Sequence, residues 1–215
     1  MASMSLTGTQ NLTFLHIPQN AGLSINRWLE LVVKEYTEKT YPDATAPHCC
    51  NFGPMIADWP TLSNLRSQVP RNYTFTIVRN PWDRVVSVYS RIATLLPDSE
   101  RQEFLANNGW TEMPSFTEFV TKGYDPGITA TGWGLDPDSP QSAWIDTDVE
   151  LIVKLENLEA DIQPIRDMFG GATSAIPKLN ASTRNSDYTT YYNDTTKNII
   201  ATVFAEDIAK WGYTF

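Results

Sequence analysis

Twice in this chain a short, β-prone apolar run leads through a few residues into a segment with helical apolar spacing, and that grammar restricts the fold more than any other feature. Residues 12–17, Leu-Thr-Phe-Leu-His-Ile, read as a strand buried on both faces. Pro18 ends it. After Gln19, Asn20, Ala21 and Gly22, apolar residues recur at Ile25, Trp28, Leu29, Val32, Val33 and Tyr36, which predicts an amphipathic helix. The pattern returns at 73–78, Tyr-Thr-Phe-Thr-Ile-Val, followed by Arg79, by Asn80 as N-cap and by Pro81 at the first helical position. In that second helix Asn80, Arg84, Ser87 and Arg91 form a polar stripe opposite Trp82, Val85, Val86 and Tyr89. A third unit is predicted from a strand over 149–155 and a helix through Leu158, Ile162, Ile165 and Phe169, stopped by Gly170 and Gly171. Asp194 is the expected cap of a last helix through Ile199, Val203, Ile208 and Trp211. Strand–helix units in series predict an α/β fold with a central parallel sheet flanked by helices.

The 215 residues suit one domain, with an irregular, proline-rich insertion over about 97–148 that holds one short helix capped by Ser115. Hydrophobic residues make up 41% of the chain, enough for a full core. The net charge of -9 argues against a nucleic-acid partner, so any anion must meet a local basic pocket. No run approaches the ~18 apolar residues of a membrane span, and no leader pattern is recognisable, so a cytoplasmic protein with no membrane partner is expected. The two cysteines, Cys49 and Cys50, are adjacent and give neither a disulfide framework nor a zinc quartet. Oligomeric state is not legible.

In open parallel sheets ligands bind at the carboxyl ends of strands, where helix N-termini suit a phosphate. Two junctions qualify. In the first, residues 16–24, Gly22 permits close backbone approach and Ser24 adds a hydroxyl. It is not a Walker loop, because no G-x-x-x-x-G-K-[ST] string occurs. In the second, Arg79 stands at a strand end, where a guanidinium can fork onto a phosphate, with Ser87 two turns into the next helix.

The segments VRNPWDRVVSVY and FLHIPQNAGLSI resemble the 3′-phosphate segment and the 5′-phosphosulfate loop of the sulfotransferase superfamily, the latter in its carbohydrate (heparan/chondroitin-type) branch. Gln141-Ser-Ala-Trp, Leu155-Glu-Asn-Leu, residues 178–184, Tyr191-Tyr192 and Asp207 through Phe215 are similar to the second half of the same branch. The resemblance implies a P-loop-like sulfotransferase fold, 3′-phosphoadenosine 5′-phosphosulfate (PAPS) as donor and 3′-phosphoadenosine 5′-phosphate (PAP) as product. It assigns the 5′-phosphosulfate to Gln19, Asn20, Ala21, Gly22, Leu23 and Ser24, and the 3′-phosphate to Arg79 and Ser87. Arg184 becomes a second partner of the 3′-phosphate, in a segment from Asn180 that closes over the nucleotide. Gln19 stands where the family pattern has a catalytic lysine, and Leu23 where it has threonine. Arg27, one turn beyond Ser24, is a candidate to supply the missing cation.

A sulfuryl group carries less negative charge than a phosphoryl group, so no metal is expected. The acceptor would be a hydroxyl of a carbohydrate or other small molecule, with Trp110, Tyr124, Trp133 and Trp144 as candidate stacking surfaces. Of the two histidines, His16 lies in the strand motif and suits packing, whereas His48 is the candidate general base, with a carboxylate of the insertion as substitute. A nucleotide-binding protein that has lost turnover is the alternative from another class. A small-molecule kinase is disfavoured by the missing Walker lysine.

Overall fold

The computed structural model of the chain describes residues 3–6, 10–40, 73–123, 139–145, 147–179 and 183–215. Two compact units emerge, Met1–Val78 with Ala143–Leu179, and Arg79–Ser142 with Asn180–Phe215.

The first unit holds a four-stranded sheet in the order β1 (Ser3–Leu6), β2 (Gln10–Leu15), β3 (Tyr73–Val78), β4 (Leu151–Lys154). β2, β3 and β4 are parallel, with Leu12 beside Tyr73 and Val78 beside Lys154, as the strand–helix grammar requires. β1 is an addition. It pairs antiparallel with β2, Ser3 opposite Thr13, an edge the sequence pattern did not announce. Leu12, Phe14, Phe75, Ile77 and Val153 pack against Ile25, Trp28, Leu29, Val32 and Val33 of α1 (Gly22–Thr40), the face that the helical spacing predicts. Thr13, Thr74 and Thr76 alternate with these residues and are buried as well. Thr76 meets the cost of its buried hydroxyl by donating to Leu15 O at 2.8 Å.

The expected helix after β4 is broken in two, α5 (Leu158–Asp161) and α6 (Gln163–Met168), because Pro164 lacks the N–H that would continue the first into the second. Ile162 between them, Ile165 of α6 and Phe169 just after it lie in the core, with Leu158 of α5 packed against it. Gly170 and Gly171, at φ 67 and 72, end the segment as anticipated. Glu35 of α1 then receives Thr173 and Ser174 through both their N–H and hydroxyl groups, and these bonds hold its carboxyl down at about 2.

In the second unit, α2 (Pro81–Thr94) starts as the sequence dictates, with Asn80 Oδ1 accepting from Trp82 N at 3.0 Å and Pro81 in the first turn. Its polar stripe is withdrawn from solvent at its start and solvated at its end. Arg84 is only 2% exposed and donates through Nη1 to Ser139 O at 2.8 Å, while Arg91 is exposed. α3 (Asp98–Asn107) occupies part of the stretch expected to be irregular; it escaped notice because Leu105 is its one buried residue. α4 (Phe116–Gly123) is the anticipated short helix, its start closed by Ser115 and Glu118, which bond each other reciprocally. α7 (Asp194–Val203) and α8 (Ala205–Trp211) complete the unit. The cap of α7 is Asn193, in a capping box with Thr196, and not Asp194, which falls in the first turn. Tyr192 and Trp82 meet Phe215 edge-on at 5.5 and 5.6 Å, and Asn80 Nδ2 donates to Thr214 O at 2.9 Å, so the last residues pack onto the start of α2. Among the described residues no helix is long and apolar enough to cross a membrane.

Candidate functional site

The loop between β2 and α1 is tightly constrained. Gln19 and Ala21 both lie in the left-handed region, at φ 68 and 59, a conformation that costs an L-residue roughly 1–2 kcal/mol. Strain of this kind persists only where the surroundings fix it, and it concentrates at ligand sites. Here the fixing contacts are visible. Asn20 is buried and donates from Nδ2 to Ile77 O at 2.7 Å, tying the loop to the end of β3. Ser24 is buried too, and its Oγ accepts from Leu179 N at 3.0 Å, which leaves the hydroxyl proton for a further bond. Leu23 is exposed.

Gly22 is required by contact rather than by φ. A Cβ built there would stand 1.8 Å from His16 Nε2 and 2.1 Å from Cδ2, so the imidazole fills the space a side chain would need. Residues 19–22, with alternating backbone handedness, lead directly into the first N–H groups of a 19-residue helix, an arrangement suited to an anion.

Burial pushes the pKa of His16 down from 6.5 to about 4. It is neutral near pH 7 and a weak base, in keeping with a packing role. Its folded pKa lies below the unfolded value, so its contribution to stability is intact above pH 6.5. As pH falls from there toward 4, the unfolded chain takes up a proton that the folded chain refuses, and roughly 3 kcal/mol is lost. The melting temperature between pH 7.5 and 4 should therefore fall more steeply for the wild type than for His16→Gln; parallel curves would contradict the assignment.

In the second unit, Arg79 and Arg184 meet on one carboxylate. Arg79 donates from Nε to Asp83 Oδ2 at 2.8 Å, with Nη2 at 2.7 Å, while Arg184 Nη2 reaches Asp83 Oδ1 at 2.6 Å. Two guanidiniums and one carboxylate leave this cluster at +1. Arg184 Nη1 is buried and has no hydrogen-bond partner among the described residues, so the cluster has donor capacity to offer an incoming anion. Ser87 is half-buried one helical turn after Asp83. The Tyr192 hydroxyl donates to Trp82 O at 2.8 Å, and burial, with Asp83 nearby, pushes its pKa up, so it stays protonated.

Asp83 was missed by sequence reasoning. Its signal was present, because a carboxylate four residues after Arg79 falls on the same helical side. Other expectations change. Arg27 is exposed and paired with Glu30 one turn along the helix. Trp144 is fully buried and presents no ring to a sugar, whereas Trp110 is half-buried and packs on Phe104 and Phe119 at 6.0 and 6.3 Å. His48, Tyr124, Trp133 and Asn180 lie outside the described residues. Among the described residues no cluster of His, Cys, Asp and Glu could hold a metal ion.

A parallel α/β sheet with a strained, glycine-dependent loop leading into a helix N-terminus defines the anion-binding class of α/β proteins. The model of the Sulfotransferase family matches residues 3–213, and the chain belongs to that family. Sulfuryl transfer is accordingly its general activity. No curated protein and no solved structure matches the chain.

Proposed function

We propose that the protein transfers a sulfuryl group from PAPS to a hydroxyl of a carbohydrate or other small acceptor and releases PAP. The observation that carries the donor assignment is the convergence of Arg79 and Arg184 on Asp83, since a 3′-phosphate is what distinguishes PAPS from common adenine nucleotides. The Nη1 of Arg184, buried and with no hydrogen-bond partner among the described residues, supports the fit. Arg79, Arg184 and the Ser87 hydroxyl would hold the 3′-phosphate. The backbone of 19–22 and the Ser24 hydroxyl would hold the 5′-phosphosulfate.

The acceptor oxygen attacks sulfur, the bond from sulfur to the bridging oxygen breaks, and the acceptor proton passes to a base, for which His48 is the candidate. Helix and loop N–H groups would face the charge that grows on the leaving phosphate, with the Gln19 amide at the position where the family pattern has lysine. Calorimetry with PAP and with adenosine 5′-phosphate tests the donor reading. Arg79→Ala should weaken PAP roughly tenfold to hundredfold and leave the nucleotide without a 3′-phosphate nearly unchanged. Equal losses for both would remove Arg79 from the 3′-phosphate.

A further inference from the structure

Arg79 follows the last residue of β3 and precedes the cap of α2, so its own N–H and C=O lie beyond the strand ladder and outside the helix. Gln141 supplies both partners. Arg79 N donates to Gln141 Oε1 at 2.8 Å, and Gln141 Nε2 donates back to Arg79 O at 2.8 Å, so the side-chain amide acts as one residue of an additional strand. A primary amide can bind this way round or flipped, and only one orientation serves both groups. The buried Asp207 selects it. Its Oδ2 accepts from Gln141 N at 2.7 Å and from Gln141 Nε2 at 3.3 Å, and its Oδ1 accepts from Ser142 N at 2.9 Å. A carboxylate can only accept, so the NH2 end of the amide is drawn toward it and the oxygen is left for Arg79 N. Gln141 and Asp207 are both 0% exposed, so water does not compete for these bonds.

We propose that Asp207, acting through the side chain of Gln141, is a positioning residue for the 3′-phosphate contact of Arg79, an inference that rests on the donor reading above. Gln141 anchors Arg79 at its backbone and Asp83 anchors it at the guanidinium, so the side chain is ordered before ligand arrives and less freedom is lost on binding. Neither Gln141 nor Asp207 touches the nucleotide in this scheme.

The test is the ratio of affinities for PAP and adenosine 5′-phosphate, measured by calorimetry on the full chain for Gln141→Met, Arg79→Ala and their double variant. Methionine keeps the length of the side chain and removes the two amide bonds to Arg79 together with the one to Asp207. Gln141→Met should lower the ratio roughly fivefold to tenfold, with the affinity for adenosine 5′-phosphate held within about twofold. The double variant should be no less selective than Arg79→Ala alone, because both changes act through one contact. A merely structural role would lower thermal stability and leave the ratio of the folded protein unchanged. If Arg79→Ala loses selectivity while Gln141→Met keeps it, the positioning role is wrong and the donor reading stands. If Arg79→Ala itself keeps selectivity, Arg79 does not hold the 3′-phosphate, that part of the donor reading fails, and the positioning role falls with it. Should Gln141→Met not fold, Asp207→Asn decides by the same ratio, a wild-type value overturning the proposal.

Discussion

Gly22→Ala is expected to weaken PAP binding about a hundredfold or more and to lower the melting temperature by several degrees. The added Cβ would fall 1.8 Å from His16 Nε2, far inside contact distance, and His16 has little room to retreat. Its ring stacks on Phe14 at 5.8 Å, and Phe14 itself is core. Overpacking of this kind costs about 1–3 kcal/mol, and here the displacement falls on a loop already holding two left-handed residues. The double variant His16→Ala/Gly22→Ala separates space from backbone freedom. Removing the imidazole makes room for the new methyl, so the pair should be more stable than the sum of the two single losses implies. Wild-type stability and affinity in Gly22→Ala would show that the imidazole and the loop do not depend on each other.

His48→Ala is expected to lower turnover roughly 10²- to 10⁴-fold while leaving PAP affinity within about twofold, because a general base acts on the acceptor and not on the donor. The other histidine is a poor candidate, its pKa held at about 4 by burial and its ring packed over Gly22. Tyr192 keeps its proton, since burial raises its pKa. Near-normal turnover would pass the role to a carboxylate within 97–148, and a parallel loss of PAP affinity would mean that His48 serves the donor instead.

Elements governed by short-range rules were legible in the sequence. β3 matches its apolar run residue for residue, and the start of α2 follows from Asn80 and Pro81, because alternation, caps and proline act over a few positions. What escaped depends on distant partners. β1 is defined by its pairing with β2, and the four residues Ser-Met-Ser-Leu carry no strong pattern of their own. α3 has too few buried positions to show a period. Arg84 reads as a surface charge until Ser139 O, 55 residues away, is brought to it. The candidate site divides in the same way. The glycine loop and Arg79 could be placed by their local frame and by family resemblance, whereas the meeting of Arg184 with Asp83 joins residues 101 apart.

The most direct test of the central claim follows a labelled sulfuryl group from PAPS, in the presence of a panel of sugars and small alcohols. Label should appear on an acceptor hydroxyl with one PAP released per transfer, and the rate at subsaturating donor should fall with Arg79→Ala. Tight binding of PAP with no labelled acceptor across the panel, or transfer of the terminal phosphate of ATP in place of the sulfuryl group, would contradict the account.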